Sequence, residues 1–178
     1  MQALKRNYFE FFSLTPSFEL DDAALDDAFR AVQSSVHPDR FASAGPAEKR
    51  YAMQLATMAN EAHQTLRDPL SRARYLCELN DVAIGAEDNT SMPADFMMQQ
   101  MEWRESLEDA LAKRSADALT RLQAELDQAH AHLQASLTSA LDDQKDFEAG
   151  AALVRRGMFM DRFSTELKQA VRTVEKAA

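Results

Sequence analysis

A chain of 178 residues holds one substantial domain or two small ones. Its 20 Lys and Arg stand against 29 Asp and Glu, a net charge of −9 that argues against nucleic acid as a partner, since phosphate contacts need cations. One Cys excludes an intramolecular disulfide or a multi-cysteine metal centre, and no apolar run approaches the roughly 20 residues of a membrane span.

Only 4 Gly and 5 Pro occur, and Ala, Leu, Met, Glu, Gln and Arg are abundant, so the chain reads as all-α. The start, Met1-Gln-Ala-Leu-Lys-Arg-Asn-Tyr, has no signal-peptide core, which makes the reducing cytosol the expected location. Taken in order, a first short helix covers about Tyr8 to Leu14 and ends at Thr15-Pro16. Asp21 or Asp22 caps a second helix, whose face is Leu25, Ala28, Phe29, Val32 and Val36. Pro38 stops it, and a loop runs from His37 to Gly45.

Pro46 suits the first turn of a third helix reaching Arg67, with Tyr51, Leu55, Met58, Ala59, Ala62 and Leu66 as its stripe. Helices two and three then form an antiparallel pair. Asp68-Pro69 ends the third helix and opens a fourth, to about Leu79, which carries Cys77 as a small buried hydrophobe. Weak periodicity from residue 81 to 93 marks a linker. Three helices follow, at about Ala94–Lys113, Ala116–Leu141 and Gln144–Lys176. The middle one has a Leu seam from Leu119 to Leu141, and burying these seams calls for a three-helix bundle.

The sixth segment's neighbour, Phe96 to Leu111, has two faces. At about 100° per residue, Met97, Met98, Met101, Glu102, Glu105 and Asp109 share an arc of about 140°. Phe96, Trp103, Leu107, Ala110 and Leu111 occupy the opposite side as a core stripe. The first face mixes thioethers with carboxylates and cannot be wholly buried without charge penalties. It is read either as a protein-binding surface, apolar at its centre and charged at its edge, or as an untidy core helix. His130 and His132, two apart on a helix, point to different sides and are taken as surface residues; His63 is expected to meet solvent or bond locally. Asp142-Asp143 and Asp21-Asp22 read as carboxylates at helix starts.

His37-Pro38-Asp39, between two amphipathic helices, resembles the signature of the J-domain family. The likeness covers Tyr8-Phe9, Leu25 to Val36, the loop through Arg40-Phe41, Asn60-Glu61-Ala62 and Leu66-Arg67-Asp68-Pro69. It implies a co-chaperone, not an enzyme, whose loop docks on a DnaK-type ATPase and stimulates hydrolysis. His37, Pro38 and Asp39 would form that contact, with Arg30 and Arg40 as basic contributors. The whole chain is similar to the HscB-type co-chaperones of iron–sulfur cluster assembly, through the Leu70 to Leu79 tail, Phe96 to Leu111, Val154-Arg155-Arg156 and Phe159-Met160-Asp161.

That resemblance implies a J-domain at 1–80, a linker at 81–93 and a scaffold-binding three-helix domain at 94–178. Met97, Met98, Met101, Glu102, Glu105, Asp109 and Phe159 would hold an IscU-type scaffold protein. The chaperone would be of the DnaK/HscA type. No cofactor, metal, nucleic acid or membrane is implied. Some eukaryotic relatives carry an N-terminal cysteine module that this chain lacks, which points to a bacterial-type member. The alternatives are a J-domain co-chaperone for another client, an enzyme using His37 and Asp39 as acid and base, and an adaptor without a chaperone link.

Overall fold

The computed structural model describes residues 6–41, 43–85 and 93–176; of Pro38 only the backbone is described. The residues at 1–5 and the linker residues at 86–92 lie outside that set. Seven α-helices and no strand occur among the described residues: α1 Tyr8–Phe11, α2 Asp22–Ser35, α3 Pro46–Arg67, α4 Pro69–Leu79, α5 Ala94–Ala112, α6 Ala116–Thr138 and α7 Phe147–Lys176.

The starts follow from local chemistry. Asn7 accepts the Glu10 amide at 2.9 Å while the Glu10 carboxylate takes the Asn7 amide at 3.3 Å, a reciprocal cap on α1. Asp21 accepts from the Ala23 and Ala24 amides, so it, rather than Asp22, caps α2. Asp68 closes α3 and caps α4 through the Ser71 amide at 2.8 Å, which fits one residue between two helices. The ends use a device the sequence hides. Ser13, Asp81 and Arg114 take φ of 57°, 62° and 48°, and the next residue's amide reaches back six residues, inclusive: Leu14 to Phe9, Val82 to Cys77 and Ser115 to Ala110. These left-handed stops normally favour Gly, and here ordinary side chains occupy them.

The α2–α3 pair packs as the sequence predicts, with Leu25, Ala59, Ala62 and Leu66 fully buried against Phe9 of α1. The expected α3 stripe holds only in its second half. Tyr51, Leu55 and Met58 are half-buried and Ala52 is buried instead, because the 14-residue α2 is too short to cover all of the 22-residue α3. The loop after α2 contains a 3-10 turn, Pro38–Phe41, packed near α3.

The helices α5, α6 and α7 form the expected bundle, centred on Phe96, Trp103, Leu126, Val154, Phe163 and Leu167. α4 lies along α7, so one buried cluster runs from Phe9 to Val174. Two glycines of α7 allow this approach. A Cβ on Gly157 would sit 2.5 Å from Leu70 Cδ1, and one on Gly150 would sit 2.4 Å from Leu141 Cδ2 and 3.3 Å from Cys77 Sγ.

Two expectations are corrected here. α6 does not run on to Leu141 as α-helix, because Ser139–Asp143 forms a π turn. Asp142 is not a helix cap: its two oxygens accept the amides of Phe18 and Glu19 at 2.8 and 2.7 Å, across 124 and 123 residues of chain. Asp146 starts α7 instead, accepting the Ala149 amide at 3.0 Å.

Candidate functional site

Two separate surfaces carry the residues singled out in the sequence. The first is the tip of the α2–α3 pair. His37 and Asp39 have side chains 59% and 89% exposed, so the tip is open to a partner. His37 Nδ1 lies 3.5 Å from Asp39 Oδ2 and faces the Asp39 amide at 3.4 Å. The Arg40 amide donates to the His37 carbonyl at 3.0 Å, and the Arg40 guanidinium reaches the Ser34 carbonyl at 3.3 Å, tying the turn back to α2. Arg30 pairs with Asp27 on its own helix, and both are well exposed, so that pair contributes little stability.

What holds the tip's two helices in register was missed in the sequence. His63 does not turn to solvent or to its own helix; its Nε2 is 2.8 Å from Asp26 Oδ1 on α2, and its ring stacks on Phe29 at 4.2 Å. Arg67 donates to the same Asp26 oxygen. The Arg67 bond first, then the His63 bond, holds the Asp26 carboxyl at about 2, below its ordinary 3.8. The available signal was paired spacing: Asp26 and Phe29 three apart on α2, His63 and Arg67 four apart on α3.

The second surface is the outer face of α5. Met97, Met98 and Met101 are 52%, 61% and 62% exposed, while Phe96 and Trp103 on the same helix are each 2% exposed. The helix therefore sorts its residues by face, and the methionines are not core. Glu102, Glu105 and Asp109 are exposed beside them, with Glu108 completing a shallow acidic groove that the sequence reading left out. Asp109 is paired with Lys113 at 2.8 Å.

Phe159 comes to the seam of α5 and α7, half-buried, edge-on to Phe96 at 5.8 Å and stacked on Phe163 at 6.3 Å. It meets the core side of α5 rather than the methionines. Arg104 links the two: its guanidinium lies 5.8 Å from the Phe159 ring and 3.7 Å from Glu166, and on α5 it is about 20° around from Met97. His130 is part-buried, bonded to the Leu126 carbonyl at 3.0 Å and 3.3 Å from Asp161, whereas His132 is exposed. No group of three or more His, Cys, Asp or Glu among the described residues is placed to hold a metal ion. No described helix is long and apolar enough to cross a membrane.

A co-chaperone protein HscB homolog of Burkholderia multivorans is 54% identical over 176 residues, covering 98% of this chain and 99% of that protein. The chain belongs to the HscB co-chaperone family. A second HscB homolog, from Burkholderia vietnamiensis, is 53% identical over the same span. Residues 92–168, which include α5, α6 and most of α7, match the family described as the HSCB C-terminal oligomerisation domain. Among solved structures, the chaperone HscB from Vibrio cholerae superposes with a TM-score of 0.81 at 35% identity, over 95% of this chain and 99% of that one. The human co-chaperone protein HscB gives 0.85 at 27% identity, over 92% and 81%. In this HscB-family co-chaperone, then, the exposed tip and the exposed α5 face belong to an architecture shared along nearly the whole chain.

Proposed function

We propose that this co-chaperone carries an IscU-type iron–sulfur scaffold protein to a DnaK/HscA-type ATPase in the cytosol and stimulates its ATP hydrolysis. Residues 1–80 act as the J-domain, 81–93 as the linker and 94–178 as the scaffold-binding domain. His37, Pro38 and Asp39 engage the ATPase, with Arg30 and Arg40 adding positive charge nearby. Asp39 offers a carboxylate to a basic partner, and charge-assisted bonds of that kind are the strong ones.

Met97, Met98 and Met101 form the apolar centre of the scaffold contact, ringed by Glu102, Glu105 and Asp109, with Phe159 at its α7 edge. One observation carries this reading: three thioethers stand more than half exposed on a helix whose other face is fully buried. Flexible thioethers suit a partner surface, and the carboxylate rim selects for a basic or neutral one. No chemistry is assigned to the chain itself.

The test is a steady-state ATPase assay with scaffold binding measured in parallel. Asp39→Asn is expected to abolish stimulation and leave scaffold affinity unchanged. Joint replacement of Met97, Met98 and Met101 by Ala is expected to weaken scaffold binding by at least about tenfold while leaving scaffold-independent stimulation intact, since burial of large apolar side chains is worth about 1.5–3 kcal/mol each. Stimulation surviving in the first variant, or unchanged affinity in the second, refutes the corresponding contact.

A further inference from the structure

The α7 face that carries Phe159 holds more than the aromatic ring. At about 100° per residue, Arg155, Phe159, Arg162 and Glu166 fall within an arc of about 60°, a single stripe along the helix. Arg104 of α5 joins it, with its guanidinium 5.8 Å from the Phe159 ring and 3.7 Å from Glu166. Three arginines therefore flank one half-buried ring, with a single carboxylate among them.

The chain itself leaves these cations largely unanswered. Arg162 is exposed and Arg155 half-buried, and among the described residues no carboxylate comes within ion-pair distance of either. The pair that does form, Arg104 with Glu166, joins side chains 54% and 46% exposed and contributes little stability, so little is lost when a partner replaces it. In a chain with 29 Asp and Glu, arginines kept clear of carboxylates around an aromatic ring form a surface suited to negative charge.

The stripe is also opposite in sign to its neighbour. Around α5 from Met97, the carboxylates Glu105, Asp109 and Glu102 lie about 80° to 140° one way, whereas Arg104 lies about 20° the other way, on the α7 side. A methionine row thus runs between a carboxylate border and a guanidinium border.

We propose that the scaffold contact is two-signed: the partner lays basic groups on Glu102, Glu105 and Asp109 and a carboxylate patch on Arg104, Arg155 and Arg162, and so docks in one orientation. This rests on the scaffold-binding reading above and adds to it the partner's second charge and the residues that set its direction. Guanidiniums suit that task, because bidentate pairing fixes a geometry that a point charge leaves free. Turning the partner end for end sets like charges against each other at both borders, which suppresses the wrong pose.

The test is the sign of a charge reversal, read by calorimetry with the full chain and a purified IscU-type scaffold protein. Arg162→Glu, at an exposed position, is expected to weaken binding at least about threefold, and the double variant with Arg155→Glu at least about tenfold. Arg172→Glu makes the same change of charge on α7, about 80° outside the stripe, and is expected to stay within about twofold of the parent. A partner that is basic throughout would bind Arg162→Glu more tightly, so tighter or unchanged binding there overturns the proposal, as does an equal loss in Arg172→Glu. Arg162→Glu decides the sign by itself if the half-buried Arg155→Glu fails to fold. Joint replacement of Met97, Met98 and Met101 by Ala separates the two claims. If that triple weakens binding and Arg162→Glu does not, the scaffold face stands and its second sign falls; if the triple binds as the parent does, the methionine contact on which the proposal rests is refuted.

Discussion

Replacing Asp142 by Ala tests whether the two ends of the chain are joined by a specific clamp. Its oxygens accept the Phe18 and Glu19 amides at 2.8 and 2.7 Å, and its side chain is only 14% exposed. Hydrogen bonds to a charged group contribute about 1.5–3 kcal/mol each, and losing the acceptor leaves buried donors unanswered. The Phe18 amide is part-buried and bears that cost in full, whereas the Glu19 amide is exposed and water replaces much of its loss. The expected destabilisation is therefore about 2–4 kcal/mol, or a fall in Tm of about 4–15 °C for a protein of this size. Asp142→Asn keeps one acceptor and should fall between Ala and the parent. Thermal unfolding followed by circular dichroism gives the stability, and hydrogen exchange gives the site, since the Phe18 and Glu19 amides should exchange faster in both variants. A loss below about 0.5 kcal/mol with unchanged exchange at Phe18 would show that the clamp carries no load.

The Asp26 carboxyl should titrate near 2 by NMR, and Arg67→Gln should move its midpoint up toward 3.8, because Arg67 is the largest cause of the depression. A folded-state pKa below the unfolded one means that Asp26 stabilises the α2–α3 pair above about pH 4 and that this contribution fades as pH falls toward 2; a midpoint unmoved in Arg67→Gln would break the link. Burial pushes the Cys77 thiol up to about 11 from an ordinary 9.0, so at pH 8 the native chain should react with a disulfide reagent at least about a hundredfold more slowly than the urea-unfolded chain, and comparable rates would contradict its burial.

Element type and order were legible because periodicity and stop signals agree: Pro46 and Asp68-Pro69 mark boundaries that the structure keeps. The two-faced character of α5 was legible for the same reason, since the wheel that gathers Met97, Met98 and Met101 also gathers Phe96 and Trp103 opposite. What stayed hidden depends on contacts distant in sequence or on backbone that side chains do not advertise. The left-handed stops at Ser13, Asp81 and Arg114 carry no Gly to announce them. The Asp142 clamp needs both the π turn, which offsets the register after Thr138, and a loop more than 120 residues away. Nothing in the sequence sets Arg104 apart on α5, and only the packing of α7 brings its guanidinium beside the Phe159 ring.

The junction between the hairpin and the bundle is built from two unlike materials, and they constrain different motions. Along α4 and α7 the contact is apolar and close, with Gly157 against Leu70 and Gly150 against Cys77, so separating the helices would expose buried surface. Apolar packing alone resists separation better than it resists sliding, because dispersion has little direction. Asp142 supplies the direction: two bonds from one carboxylate fix the loop before α2 in both position and rotation. Arg72, 6% exposed, steadies the same loop from the hairpin side, with its guanidinium on the Leu66 carbonyl at 2.6 Å and 5.5 Å from the Phe18 ring. The apolar seam and the carboxylate clamp do not lie along one helix axis, and together they oppose both sliding and twisting. On the proposed reading, this lets the ATPase-facing tip and the cargo face of α5 be presented at a set angle by folded contacts rather than by the covalent linker.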